Sequence, residues 1–234
     1  MRQEPVRVSI VLPVRNGAAF LPQALDSITA NWSGSDELIV VDDGSTDGTA
    51  GILDTFQSRH ACVRLAAQGV GPAAARNLGL AAARGRWIAF LDHDDWWPQG
   101  RLDAHCRELA RHRGAAAVMG KTRYVFEAGS DPSRCRFSEE EQAARHLFHL
   151  GASTFSRAVF ERHGGFDPAL RFSEDQDFFL RLRDAGCEIL RVPEIGLMYR
   201  NHASNMTRHV PTRHLGLCQV LHASILRRRS GTAV

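Results

Sequence analysis

Short apolar, β-branched runs alternate with segments of helical spacing through the first half of the chain. Residues 6–12, 38–41, 63–65 and 87–91 read as strands. Between them, Pro22 precedes Ala24, Leu25 and Ile28, Thr46 and Asp47 precede Ile52, Leu53 and Phe56, and Pro72 opens an alanine-rich stretch to Ala83. These are helix-start residues, because they lack or satisfy the free N–H groups of a first turn, so each crossover is expected to be one helix. The pattern predicts an α/β chain with a largely parallel sheet. Beyond Gly114 it loosens. Strands are expected at 116–119 and 122–126, a loop and helix start in the polar stretch 127–142, and helices over 157–163 and 176–185. Strands near 188–192 and 196–200 and a last amphipathic helix over 212–228 complete the pattern, with no internal repeat and no linker.

With 234 residues and 44% hydrophobic content, the chain can bury the core of one domain with a modest appendage. A net charge of +3 on a mixed, arginine-rich surface does not call for nucleic acid. Cys62, Cys106, Cys135, Cys187 and Cys218 are scattered, odd in number and without C-x-x-C spacing, which argues against zinc or redox work and fits a reducing, cytoplasmic setting. The N-terminal apolar run, broken by Pro13 and Arg15, is too short for a signal peptide or a membrane span.

In an open α/β sheet, ligands sit outside the carboxyl ends of the strands. Those ends are polar here: Pro13 to Gly17, then Asp42, Asp43, Gly44 and Ser45, then Gly71, Arg76 and Asn77, then Asp92, His93, Asp94 and Asp95. All four groups are expected to converge on one crevice. A dinucleotide fold would need G-x-G-x-x-G after the first strand, where only Gly17 stands. Carboxylates crowded at a strand end repel one another, and a hard divalent cation takes such oxygens as ligands. The alternative is a solvated turn that caps the next helix. A second acidic group, Glu174, Asp175 and Asp177, stands where the helix over 176–185 begins and has the same capping alternative.

Five strings occur in order over roughly nine-tenths of the chain: VSIVLPVRNGAAFLPQALDSI, ELIVVDDGSTDGT, GPAAARNLGLAAARGRWIAFLDHDDWWPQGRLD, GGFDPALRFSEDQDFFLRL and YRNHASN. Together they resemble the family 2 glycosyltransferases, whose fold is GT-A. The resemblance implies a single GT-A domain over residues 1–207, with a nucleotide-binding half to about residue 115 and a smaller acceptor-side half after it, then a helix and tail at 208–234. It implies a nucleoside diphosphate sugar donor. The position of Asp43 accepts a hydrogen bond from the base, with Asp42 close by, and a carboxylate suits a uracil imide, hence UDP. Pro13 and Arg15 match the loop at the base. Many relatives carry an aromatic residue where this chain has Arg15, and a stacked guanidinium can substitute.

Arg76 matches an arginine beside the nucleotide, where a cation offsets diphosphate charge. Its alternative is a solvated helix charge. Asp92 and Asp94 match an acidic metal motif, with Asp94 a ligand of Mg²⁺ or Mn²⁺ and Asp92 a contact of ribose or metal. His202 matches a histidine that approaches the metal or diphosphate. His93 points away along the extended segment and reads as structural, and Asp95 is a weaker third carboxylate. Asp175 matches the catalytic base of inverting members; Glu174 and Asp177 would position the acceptor or brace the base. Gly164 and Gly165 match a turn that lets the backbone approach the sugar, and Trp96 and Trp97 fit either a sugar platform or, better, the core.

The implied activity is metal-dependent, inverting transfer of a sugar to an acceptor hydroxyl on a glycan or lipid-linked acceptor, as in bacterial polysaccharide assembly. The alternative is a catalytically silent nucleotide-sugar binding subunit of the same fold. A sugar nucleotidyltransferase would need a glycine-rich, basic phosphate loop near the N-terminus, which the sequence lacks. The last helix ends in Arg227, Arg228 and Arg229, with Leu217, Val220, Leu221 and Ile225 as its apolar positions. It fits docking on the domain, homodimerisation, or peripheral contact with an anionic membrane at its cytoplasmic face.

Overall fold

The computed structural model describes residues 5–127, 146–208, 210–211 and 214–230. Seven strands, β1 (Val8–Val14), β2 (Glu37–Asp42), β3 (Val63–Ala66), β4 (Trp87–Phe90), β5 (Ala117–Phe126), β6 (Ser153–Ser156) and β7 (Ile189–Asn201), form one sheet in the order β3-β2-β1-β4-β6-β5-β7. Every pairing is parallel except the two made by β6, so the sheet is mostly parallel, as expected. All residues of β1 and β4 are buried, because helices cover both faces of a parallel sheet.

The helices are α1 (Leu21–Asn31), α2 (Thr49–Gln57), α3 (Pro72–Ala82), α4 (Arg101–Arg111), α5 (Arg157–His163), α6 (Glu174–Asp184) and α7 (Leu217–Ser230). Pro22 and Pro72 stand in the first turns of α1 and α3, where a missing N–H leaves no bond unmade. Among the described residues, no helix is long and apolar enough to cross a membrane.

Several boundaries move. β1 begins and ends two residues later than its apolar run, because pairing with β2 continues to Val14 opposite Asp42. The strands expected at 116–119 and 122–126 are one strand, as are those near 188–192 and 196–200. β5 and β7 pair with register shifts around Lys121, and the interruption read from the pattern is this irregularity. There the backbones of Gly120 and Gly196 approach so closely that a Cβ on Gly120 would lie 2.7 Å from the Gly196 Cα. α6 starts at Glu174 rather than 176, and α7 starts at Leu217 rather than 212. The loop and helix start expected at 127–142 lie outside the described residues apart from Glu127.

Two elements have no counterpart in the expected pattern. α4 buries Leu102, His105, Cys106 and Leu109, a helical spacing in which half the positions are not ordinary apolar residues. β6 is the four-residue segment STFS, antiparallel to both β4 and β5.

Phenylalanine packing sets the head of α6 against the sheet. Phe90 of β4, Phe155 of β6, Phe160 of α5, Phe166, and Phe178 and Phe179 of α6 form one buried cluster, with Phe160 and Phe178 stacked at 4.8 Å between centroids. On the same face, α3 lies tight on β1. A Cβ on Gly79 would come within 2.4 Å of Val11 Cγ1. Gly79→Ala is therefore expected to push α3 off the sheet and cost a net of about 1–2 kcal/mol, after the gain in helix propensity. Urea unfolding reads it directly; an unchanged midpoint would contradict the close approach.

Candidate active site

The loops after β1 and β2 are laced together. Asn16 adopts a left-handed conformation (φ 52°), which lets its Oδ1 accept the Thr46 N–H at 2.8 Å while its own N–H donates to Ser45 Oγ at 2.9 Å. The Gly17 N–H donates to Thr49 Oγ1, and the His93 ring lies against Gly17, so His93 packs rather than coordinates. Pro13 is buried in β1, whereas Arg15 is exposed, with its guanidinium beside Gly69. Asp42 accepts the Ser45 N–H at 3.0 Å and pairs with Arg64 at 3.5 Å. Asp43 is buried, and its two oxygens accept the N–H groups of Val70 and Gly71 at 2.8 and 2.9 Å. It thus holds the loop that leads into α3. Each oxygen retains a lone pair.

Arg76 is the hub of the crevice. It is 6% exposed, which excludes the solvated-charge alternative. Its Nη2 donates to Asp92 at 2.6 Å and its Nη1 to Glu174 at 2.5 Å, so one guanidinium joins the acidic group after β4 to the acidic group at the head of α6. Burial opposes its charge, but Asp92 and Glu174 prevail and raise its pKa above the ordinary arginine value. The cation expected beside a diphosphate is thus already held by two carboxylates.

Ser173 precedes α6 in a left-handed conformation (φ 63°), with its Oγ donating to the Leu215 carbonyl at 2.6 Å. Asp175 follows, accepting the Gln176 N–H at 2.8 Å, while Gln176 Nε2 reaches the Phe148 carbonyl at 3.1 Å. Burial raises the Asp175 pKa, with Arg76 pulling the other way, and burial likewise raises that of Glu174. The Ser173 side chain makes no cap bond, but Asp175 accepts a first-turn N–H of α6, so capping holds for Asp175, whereas Glu174 and Asp177 are held by Arg76 and Arg181. Asp177 needs a correction as a brace for the base. It pairs with Arg181 at 2.8 Å and with Arg227 of α7 at 3.6 Å, because its place on the helix turns it to the α6–α7 junction.

The acidic group after β4 divides three ways. Asp92 goes to Arg76. Asp94 goes to His202, whose Nε2 lies 3.0 Å from Asp94 Oδ2 and whose Nδ1 meets Ser204 Oγ at 2.9 Å. Burial would push the Asp94 carboxyl up, but the His202 bond and the charges of His93 and His202 hold it below its ordinary value. Asp95 is 3% exposed and accepts the Arg200 N–H at 2.8 Å; burial first, then Asp94 and Asp92, keep its pKa well above the usual range. Asp95 therefore belongs to the sheet. Among the described residues, no group of three or more His, Cys, Asp or Glu converges as a metal cage. The donors present together are the pair Asp94 and His202.

Trp97 is buried with its Nε1 on the Gly151 carbonyl, as the core reading requires, and Trp96 lies 4.6 Å from the Arg200 guanidinium. In the glycine turn Gly165 makes room for protein, since a Cβ there would lie 2.3 Å from Asn77 Oδ1 and Asn77 brackets the Phe166 N–H and carbonyl at 2.9 and 2.7 Å, whereas Gly164 faces open space at φ 73°. Arg200 is the residue the sequence reading missed. It sits between the rings of Phe20 and Trp96, donates to the Asp94 carbonyl at 2.8 Å, and contacts Glu127 and Gln23. An arginine within a strand of Leu, Met and Tyr was the available signal, since a buried charge needs partners.

A mostly parallel seven-stranded sheet flanked by helices is the arrangement of the GT-A class. Residues 9–175 match glycosyl transferase family 2, and the chain belongs to that family. It is 39% identical to a glycosyltransferase of Haemophilus influenzae over 86% of this chain and 78% of the relative. It is 29% identical to the succinoglycan biosynthesis protein ExoO of Rhizobium meliloti, over 94% of this chain and 68% of ExoO. A similar 29% relates it to the glycosyltransferase EpsJ of Bacillus subtilis, of whose length the chain spans 62%. Among solved structures, S. aureus TarS in complex with UDP-GlcNAc superposes with a TM-score of 0.76 at 18% identity, over 94% of this chain and 66% of that one. The mannosyltransferase PcManGT of Pyrobaculum calidifontis, in complex with GDP-Man and Mn²⁺, gives 0.65 at 22% identity, over 98% and 64%. These two establish the GT-A fold.

Proposed function

We propose that the chain transfers a sugar from a nucleoside diphosphate donor, UDP-linked, to an acceptor hydroxyl with inversion at the anomeric carbon. The Arg76 bridge carries this reading. It holds the group after β4, on the donor side, and the head of α6, on the acceptor side, against one crevice. An acceptor hydroxyl attacks weakly unless its proton is removed as its oxygen bonds to the anomeric carbon. Asp175 takes that proton. The bond from the anomeric carbon to the diphosphate oxygen breaks in line, and the electron pair leaves with the diphosphate. Burial raises the pKa of Asp175 and so makes it a stronger base than an exposed aspartate. Glu174, paired with Arg76, positions the helix end that carries it.

Pro13, Arg15, Asp42 and Asp43 line the nucleotide side, and the free lone pairs of Asp43 suit an imide N–H. Asp94 and His202, with Asp92 nearby, fit Mg²⁺ or Mn²⁺. The Asp94 carboxylate would be the hard donor that either ion takes, with the His202 imidazole, 3.0 Å from it, as a second donor. When bound, such an ion offsets charge on the departing diphosphate. The acceptor is proposed to be a bacterial polysaccharide or its precursor, the class of product named for ExoO.

The test is nucleotide release from UDP-, GDP- and dTDP-sugars with and without EDTA. Release from a UDP-sugar is expected to fall about 100-fold in EDTA and in Asp94→Asn, and to return with Mg²⁺ or Mn²⁺ only in the unsubstituted chain. EDTA-resistant turnover would remove the role given to Asp94 and His202. Donor binding without turnover of any of the three would favour the silent subunit.

A further inference from the structure

The chain is electrically lopsided. All 26 acidic residues lie at or before Glu194, and the 40 residues after it carry six arginines and four histidines. The formal +3 therefore arises wholly from the C-terminal segment, since the rest has more acidic than basic residues. α7 concentrates this charge. It docks on α6 through Val220, packed on Leu170 and Leu180, through Ser224, which bonds Asp184, and through Arg227, which pairs with Asp184.

Its other side is not covered by the described residues. Leu221 is 50% exposed, Ile225 40% and Leu226 50%, and His222, Arg228 and Arg229 are exposed with them. At about 100° per residue His222, Ile225, Leu226 and Arg229 fall on the side turned from Val220 and Ser224, while Leu221 and Arg228 flank it, with Arg228 Nε 3.9 Å from Asp184. Three large apolar side chains lie beside Arg229 and His222, and the helix carries no carboxylate, a surface that can meet an anionic interface. Apolar side chains enter the acyl boundary while arginines meet lipid phosphates. Nucleic acid would make no use of Leu221, Ile225 and Leu226.

We propose that this face of α7 binds an anionic phospholipid surface. The attachment lies near the acceptor side of the crevice, because the Leu215 carbonyl just before α7 accepts from Ser173, two residues from Asp175. The inference does not depend on sugar transfer, since vesicle binding needs no donor.

The full chain is sedimented with vesicles of phosphatidylcholine mixed with phosphatidylglycerol, and with phosphatidylcholine alone. Binding to the mixed vesicles is expected, weakening with salt, with at least a tenfold drop on pure phosphatidylcholine. Arg229→Gln is expected to weaken it about fivefold. Leu221→Asp with Ile225→Asp should abolish it without changing the melting temperature, because both positions are exposed. Absence of binding, equal binding to both vesicle types, or binding unchanged in the Asp variant would overturn the proposal. So would a dimer in sedimentation velocity that the same Asp variant dissociates, which would assign the face to a second copy.

Discussion

Asp175→Asn is expected to lower sugar transfer by about 10²–10⁴-fold while leaving the dissociation constant of the donor within a few fold. Asparagine keeps the size of the side chain and an oxygen for the Gln176 N–H but cannot take up a proton. The pH profile separates a base from a merely structural carboxylate. Burial raises the Asp175 pKa and Arg76 only partly opposes it, so the acid limb of kcat/KM should lie above the ordinary aspartate value of about 3.9. Transfer then rises with pH as Asp175 loses its proton and is lost as pH falls through that raised value. In Asp175→Asn the limb should vanish, whereas a structural defect would lower the rate at every pH and leave the profile in place. Calorimetric donor titration together with kcat/KM over a pH series measures both, and an undiminished rate would dismiss Asp175 as base.

How far the sequence could anticipate this site follows from the range of the interactions involved. Strand-and-helix alternation depends on neighbours, so β1 to β4 and the crossovers between them were readable from apolar runs and helix-start prolines. The order of the polar strand ends likewise placed Asp92, Asp94 and Arg76 at one crevice. What the chain pattern could not express is pairing across long separations. Asp92, Asp94 and Asp95 look equivalent as DHDD, yet Arg76, His202 and Arg200 divide them, and two of those partners lie more than a hundred residues away. Asp177 stands two residues from Asp175 and looks like part of one cluster. Two residues along a helix rotate the side chain by about 200°, which sends it to Arg181 and Arg227 instead. β6 was invisible for a local reason: STFS has too few apolar residues to register, and it is a strand because β4 and β5 leave a slot between them.

Arg76→Met is expected to destabilise the fold by about 3–5 kcal/mol near neutral pH, a fall in melting temperature of about 6–20 °C for a chain of this size. Methionine preserves much of the volume, so lost packing is the smaller part. The larger part is Glu174, 5% exposed, left in the interior without its cation. Glu174 already has a raised pKa because burial outweighs the pull of Arg76, and removing that pull raises it further. Between its unfolded and folded pKa values the native state then binds more protons than the unfolded chain. Stability of the variant therefore falls as pH rises through this window, and its deficit should shrink on acidification, when Glu174 is protonated. Adding Glu174→Gln to Arg76→Met should restore much of the stability at neutral pH by removing the stranded charge. It should not restore sugar transfer, because Asp92 and the head of α6 would still lack the guanidinium that joins them. Melting curves of the single and double variants over a pH series test both halves. A deficit independent of pH, or no recovery in the double variant, would mean that Arg76 contributes packing rather than charge.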